Sequence, residues 1–378
     1  MKPLRLAVVG AGHLGRIHAK LLREVPGVEL VGVVDPVAAA REKVAADVGT
    51  TPYAEHQPLL GKVDGAVIAT PTRFHHAVAL DFLRQGTPLL IEKPLAADLA
   101  EADELVQVAA KQQTILQVGH IERFNPAFTA AAARIGRPRY VEAVRASTYT
   151  GRSTDIGVVY DLMIHDIDLL LSLVDAPVTS VRAIGVAVLG SREDATQARL
   201  EFANGCVANL SASRVSFTEA PRRHMQIWSD EGFAAIDFGT RSAHVVAPCQ
   251  AVMERRYDYE SLSAEEKGQF KDRLYSEILR VEPLEVGSTN ALLDELHDFA
   301  TCIREHRQPR VTGAAGRRAV AVAEAVLQSV ERHQWDGGAS GPSGPLAMPA
   351  QPILRGPHWY AAPGPAPSTP SAPRREAG

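Results

Sequence analysis

Leu4–Val9 is a short apolar run that meets Gly10-Ala11-Gly12-His13-Leu14-Gly15. A strand feeding three glycines at this spacing, with helical residues after them, restricts the chain to a strand–turn–helix unit. Gly10 allows the tight turn, Gly12 lets the backbone approach a pyrophosphate, and Gly15 lets the helix pack closely on the strand. The helix amino terminus then offers unpaired N–H groups and a partial positive charge to phosphates. His13 and Leu14 stand at that terminus and join the glycines as predicted dinucleotide contacts. A second apolar strand, Glu29–Val34, ends in Asp35, about 20 residues past the last glycine. A carboxylate there suits two ribose hydroxyls and repels a 2′-phosphate. Pro36 and Val37 follow it, with no Arg or Ser, so NAD is expected in preference to NADP. The bland reading is a glycine turn in an unrelated α/β domain.

The alternation of strand and helix continues. Strands are expected at Asp64–Ala69, Pro88–Ile91 and Thr114–Val118, with helices at Phe74–Gln85 and Leu99–Gln112. This is the pattern of a doubly wound parallel sheet. Such sheets bind ligands beyond the carboxyl ends of their strands. Two motifs fall there. Thr70-Pro71 follows one strand, and His75 on the next helix either contacts the cofactor or caps local structure. Glu92-Lys93-Pro94 follows the next strand, where Pro94 stiffens the turn and aims the Lys93 ammonium. A third stretch, Glu122-Arg123-Phe124-Asn125, opens a helix at the passage to a second domain. Arg123 suits a carboxylate or phosphate, or else pairs with Glu122 or Glu142 on the surface.

The second half changes character. Asp161–Val174 reads as an apolar helix on which Asp161, His165 and Asp168 share one face. A histidine bracketed by carboxylates is oriented by them. Either the three line a cavity or they form a solvated acidic face. A strand at Tyr140–Tyr149 precedes this helix, and strands follow it at 178–189, 197–202, 207–217, 223–229, 234–238 and 243–247, with tight turns at Asn204-Gly205 and Glu231-Gly232. They imply a large, open, mainly antiparallel sheet, one face of which needs covering, so a homodimer or homotetramer through that sheet is expected. Residues 254–278 are polar and helix-like, and helices at Asn290–Glu305 and Gly316–Arg332 are expected to pack back on the first domain.

The expected fold class is therefore α/β: an NAD-binding Rossmann domain over residues 1–122, then an α/β substrate and oligomerisation domain over 123–335. Residues 336–378 hold about ten prolines amid Gly, Ala and Ser and are expected to be disordered. The formal charge of −4 comes with no basic stripe, so nucleic acid is not an expected partner. Three scattered cysteines and no His/Cys cluster give no expected metal or disulfide framework. No apolar run approaches roughly 18 residues and no leader precedes the first strand, so no membrane is expected and the predicted location is cytoplasmic.

GxGxxG, Thr70-Pro71, Glu92-Lys93-Pro94 and Asp161-xxx-His165, in that order, resemble the Gfo/Idh/MocA oxidoreductase family over roughly residues 4–332. Val118–Pro126, Arg152–Ile156 and Asp161–Asp168 look like the bacterial UDP-N-acetylglucosamine 3-dehydrogenase branch, associated with a lipid A variant. The resemblance implies Lys93, Asp161 and His165 at the catalytic positions, a sugar or sugar nucleotide as substrate, and a sheet-mediated oligomer. The expected chemistry is oxidation of a hydroxyl to a ketone. Lys93 and His165 share the proton, Asp161 orients His165, and Arg123, Asn125, Arg152 and His165 bind substrate. Which of Lys93 and His165 is the base stays open. The competing readings are an inositol or other polyol dehydrogenase, a reductase of an imine-like substrate, and a non-catalytic dinucleotide-binding regulator.

Overall fold

The computed structural model describes residues 2–149, 156–189, 192–216, 221–256 and 258–333. The first unit alternates β1 (Leu4–Val9), α1 (His13–Leu22), β2 (Val28–Val34), α2 (Ala38–Val48), β3 (Pro52–Tyr53) and β4 (Gly65–Ile68). It continues with α3 (His75–Leu83), β5 (Leu89–Glu92), α4 (Leu99–Lys111) and β6 (Leu116–Gly119). All six strands are parallel in the order β3-β2-β1-β4-β5-β6. Strand order reverses between β1 and β4, which opens the ligand crevice of a Rossmann sheet. The inner strands β4 and β5 are buried along their whole length, which explains the apolar runs Gly65–Ile68 and Leu89–Ile91.

After α5 (Pro126–Ala132) comes β7 (Pro138–Ala146), then α6 (Ile164–Leu173), β8 (Val178–Val186), β9 (Ala195–Phe202) and β10 (Val207–Ser213). β11 (Arg222–Ser229), β12 (Gly232–Asp237) and β13 (Ser242–Pro248) follow. Two short helices, α7 (Gln250–Met253) and α8 (Ala264–Arg273), then lead to β14 (Leu279–Pro283). These eight strands form one sheet, antiparallel except where β7 runs parallel to β10. The predicted Asn204-Gly205 turn joins β9 to β10 with Gly205 at φ 83°, and Gly232 at φ 138° closes the turn into β12.

Two capped helices complete the chain. Asn290 accepts from Leu292 N–H at the start of α9 (Ala291–Glu305), and Thr312 accepts from Ala315 N–H at the start of α10 (Gly313–Arg332). α9 returns to the Rossmann sheet, where Leu296, Phe299 and Ile303 join Leu6, Leu22 and Val67 in one core. α10 packs against α4, α6 and β8, so it links the two sheets. Among the described residues no helix is long and apolar enough to cross a membrane.

Candidate active site

The glycine loop has the geometry its spacing implies. Gly10 has φ 106°, and a Cβ there would meet the Ala69 carbonyl at 2.5 Å. A Cβ on Gly15 would collide with the Gly10 carbonyl oxygen at 1.8 Å. Gly12 faces open space, and it, His13 and Leu14 are exposed at the unblocked start of α1. This cradle fits a pyrophosphate. Asp35 ends β2 beside it: one carboxylate oxygen accepts from Ala11 N–H and the other from Val37 N–H, both at 2.8 Å. Each oxygen keeps a lone pair for a ribose hydroxyl. Sequence reading missed Arg41, whose guanidinium donates to the carbonyls of Asp35 and Pro36. A cation stands beside Asp35 after all, six residues on, across one turn of α2.

The Thr70-Pro71 and Lys93-Pro94 turns are clasped together by His75. Its Nδ1 is 2.8 Å from the Pro94 carbonyl and its Nε2 is 2.9 Å from the Thr70 carbonyl. His75 is buried with a carbonyl oxygen at hydrogen-bond distance from each ring nitrogen, and the neutral ring that burial favours donates to one of the two. Glu92 points away from the crevice, under α1, where its carboxylate meets His18 Nε2 at 2.7 Å and accepts from Lys93 N–H at 3.2 Å. That buried pair fastens the dinucleotide helix to the lysine turn.

Lys93 reaches out of the turn to the second unit. Its ammonium donates to the Asp161 carbonyl at 2.7 Å and to the Asp161 carboxylate at 3.3 Å. Here the structure corrects the sequence reading. The predicted helix over Asp161–Val174 begins as a π-helical turn, Val159–Met163, and becomes α only from Ile164. The wide turn breaks the i, i+4 register, and Asp161 holds Lys93; it has no hydrogen bond to His165. The turn is itself anchored: Glu193 accepts from Val159 N–H at 3.1 Å, and a Cβ on Gly157 would overlap its carboxylate.

His165 is half-buried beside this pair, with Nδ1 turned inward and unbonded. Burial, followed by the charges of Lys93 and Arg145, pushes it well below the ordinary imidazole value, so the ring is neutral near pH 7. Asp168 is buried and lies 3.5 Å from the Arg123 guanidinium. Arg123 is therefore neither a surface pair with Glu122 or Glu142 nor an unengaged cation. Asn125 is held from within the protein. Its amide oxygen caps α5 at Ala127 N–H and its NH₂ donates to Glu122, so both ends are engaged inside the protein. Arg152 lies outside the described residues.

The sequence reading did not single out the support beneath the site. Arg145 of β7 makes a bidentate contact with Asp166 at 2.8 and 3.0 Å and donates to Glu122 at 2.9 Å. Burial would weaken its hold on the proton, but Asp166 and Glu122 more than offset that and keep it charged. Nearby, a cavity of about 300 Å³ is lined by Thr72, Arg73, Ile156, Gly157, Tyr160 and Arg192.

A dinucleotide crevice opposite a lysine, a carboxylate and a neutral histidine is equipped to oxidise or reduce a carbon–oxygen bond. The family model for the NAD-binding Rossmann fold of the Gfo/Idh/MocA oxidoreductases matches residues 4–120, and the model for their C-terminal alpha/beta domain matches 132–335. The chain belongs to the Gfo/Idh/MocA family. It is an oxidoreductase that uses a nicotinamide dinucleotide. The Gfo/Idh/MocA relatives include a UDP-N-acetylglucosamine 3-dehydrogenase of Acidithiobacillus ferrooxidans, 37% identical over 329 residues, covering 87% of this chain and 97% of that protein. A scyllo-inositol 2-dehydrogenase (NAD(+)) of Bacillus subtilis is 32% identical over 56% of this chain and 68% of its own. The solved structure of the Acidithiobacillus enzyme matches with TM-score 0.75 at 36% identity, covering 88% of this chain and 99% of that one. A levoglucosan dehydrogenase in complex with NADH and levoglucosan, at 17% identity and TM-score 0.74, shares the fold.

Proposed function

We propose that this chain oxidises a hydroxyl of a sugar nucleotide to a ketone with NAD, the best candidate being the 3-hydroxyl of UDP-N-acetylglucosamine. The observation that carries the reading is the Lys93–Asp161 contact across the crevice, with neutral His165 beside it. Similarity over nearly the whole length of the Acidithiobacillus enzyme supports the substrate. When bound, the dinucleotide supplies the hydride acceptor. Gly10, Gly12, His13, Leu14 and Gly15 would hold its pyrophosphate, Asp35 its ribose, and the Thr70-Pro71 turn would stand beside it. His165 accepts the hydroxyl proton, while the Lys93 ammonium, steered by Asp161, stabilises negative charge on the same oxygen. Arg73 and Arg192, at the neighbouring cavity, are suited to a diphosphate, and Arg123 to the sugar side.

The test compares kcat/KM for UDP-N-acetylglucosamine, free N-acetylglucosamine and myo-inositol. The sugar nucleotide should lead by at least about a hundredfold, the scale of two charge-assisted phosphate contacts. Equal or better use of inositol would replace this reading with the polyol one. That second reading draws on the inositol dehydrogenases among the relatives.

A further inference from the structure

Oxidising an alcohol breaks a C–H bond, whose electron pair goes to the dinucleotide, and an O–H bond, whose proton must leave. The proton's way out is the question the buried polar groups raise, and the answer rests on the dehydrogenase reading above. Among the described residues, eleven buried side-chain polar atoms lack a hydrogen-bond partner, and eight of them belong to one neighbourhood behind Lys93. They are His165 Nδ1, Asp168 Oδ2, both ring nitrogens of His120, His18 Nδ1, Gln117 Oε1 and both carboxylate oxygens of Glu295. His120 is 1% exposed and Glu295 is 0% exposed.

Contacts join Gln117 to Glu295 and His18 to the Lys93 turn, and shared charges relate both groups to His120 and His165. Gln117 Nε2 donates to the Glu295 carbonyl at 3.1 Å, so α9 is fixed on β6 at this point. Glu92 bridges His18 and the Lys93 backbone, and a Cβ on Gly119, next to His120, would lie 3.1 Å from its carboxylate. The charges facing His120 are Asp168 of α6, Lys93 and Glu92 of the β5 turn, and Arg123 of its own turn. Those facing Glu295 are Glu92, Asp168 and Asp298 of its own helix. His165 in turn feels His120.

A buried polar atom left unpaired costs about 1–3 kcal/mol, and water between these groups would recover that cost. Titratable groups joined by such water pass protons. Burial and the surrounding carboxylates push Glu295 well above the carboxylate range, so it is protonated and both accepts and donates. Burial, with Lys93 and Arg123 outweighing Asp168, lowers His120, so its ring is neutral with one donor and one acceptor nitrogen.

We propose that His120 and Glu295 form an inner proton path, which takes the hydroxyl proton from His165 Nδ1 through buried water into the α9 layer and away from the substrate pocket. Neither residue touches the reacting carbon; both act by moving a proton that His165 has received. In the reductive direction the same path delivers it.

Glu295→Gln is the incisive variant because glutamine matches the shape and charge of a protonated acid. Stopped-flow records hydride transfer by NADH fluorescence and proton release by a pH dye, in wild type, Glu295→Gln, His120→Asn and His120→Ala, with NAD affinity as the folding check. The path requires proton release in Glu295→Gln and His120→Asn to lag hydride transfer by about tenfold or more. It also requires a larger solvent isotope effect on kcat and recovery of His120→Ala by added imidazole. Release as fast as wild type, with an unchanged pH profile, overturns the path. Infrared spectroscopy provides the arm independent of substrate. A protonated carboxyl band at neutral pH that vanishes in Glu295→Gln is expected, and its absence in the wild type overturns the path even if no sugar nucleotide is turned over. Failure of turnover with that band present counts against the substrate reading alone.

Discussion

Lys93 is useful only because its ammonium is held. Two oxygens of Asp161 fix it across the crevice, and Glu92 and His75 fix the turn it grows from. His165 complements it by staying neutral under burial and cationic neighbours, which lets it accept a proton. At the cofactor end, Asp35 faces the ribose with Arg41 close behind. In Asp35→Ala, NAD should bind roughly tenfold more weakly or worse, the loss of hydrogen bonds to a charged group. Discrimination against NADP should relax as well, because the carboxylate that repels a 2′-phosphate is gone and Arg41 remains. Fluorescence titration with both dinucleotides measures this, and an unchanged NAD/NADP ratio would remove Asp35 from the ribose site.

Elements explain which parts of the site were legible from sequence. Gly10, Asp35 and Lys93 stand just past the ends of short apolar strands, Gly12 and Gly15 start the helix after the first, and the spacing of a βαβ unit determines where such ends meet. The eight-stranded sheet was legible from turn residues such as Asn204-Gly205, whereas β14, a five-residue edge strand, alternates only over Leu279-Arg280-Val281-Glu282 before Pro283 and is too short to stand out. Asp161 was misread because a π turn carries no sequence period of its own. A capping asparagine and a binding asparagine are the same letter in the same loop, so the cap that Asn125 makes appears only in the folded chain. Arg145, Asp166 and Glu122 come from three separate elements, and only the folded chain brings them together. Arg145→Met should leave two carboxylates buried without their cation and destabilise the fold by about 3–5 kcal/mol. Denaturant unfolding measures that loss, and a change under 1 kcal/mol would show that the triad bears little on stability.

The whole molecule sets a Rossmann sheet and a broad mixed sheet around one crevice, with α9 and α10 returning to bind the halves. The second sheet carries a run of ring contacts across strands, Tyr140 to Trp228 at 5.0 Å, Trp228 to Phe233 at 4.9 Å and Phe233 to His244 at 6.2 Å. We propose that this face is covered by a second copy of the chain. Sedimentation should find a dimer or tetramer that Trp228→Glu weakens, and a wild-type monomer at micromolar concentration would contradict it. The most direct measurement of the central claim mixes the protein with NAD and UDP-N-acetylglucosamine and follows NADH, with a 2-oxoacid acceptor in a parallel reaction to reveal cofactor that stays bound. The account predicts a 3-keto sugar nucleotide, with NADH or reduced acceptor in step. It also predicts loss of both in Lys93→Ala while NAD binding stays near normal. Turnover that survives Lys93→Ala, or a wild type that binds NAD and leaves the sugar nucleotide untouched in both reactions, would contradict it.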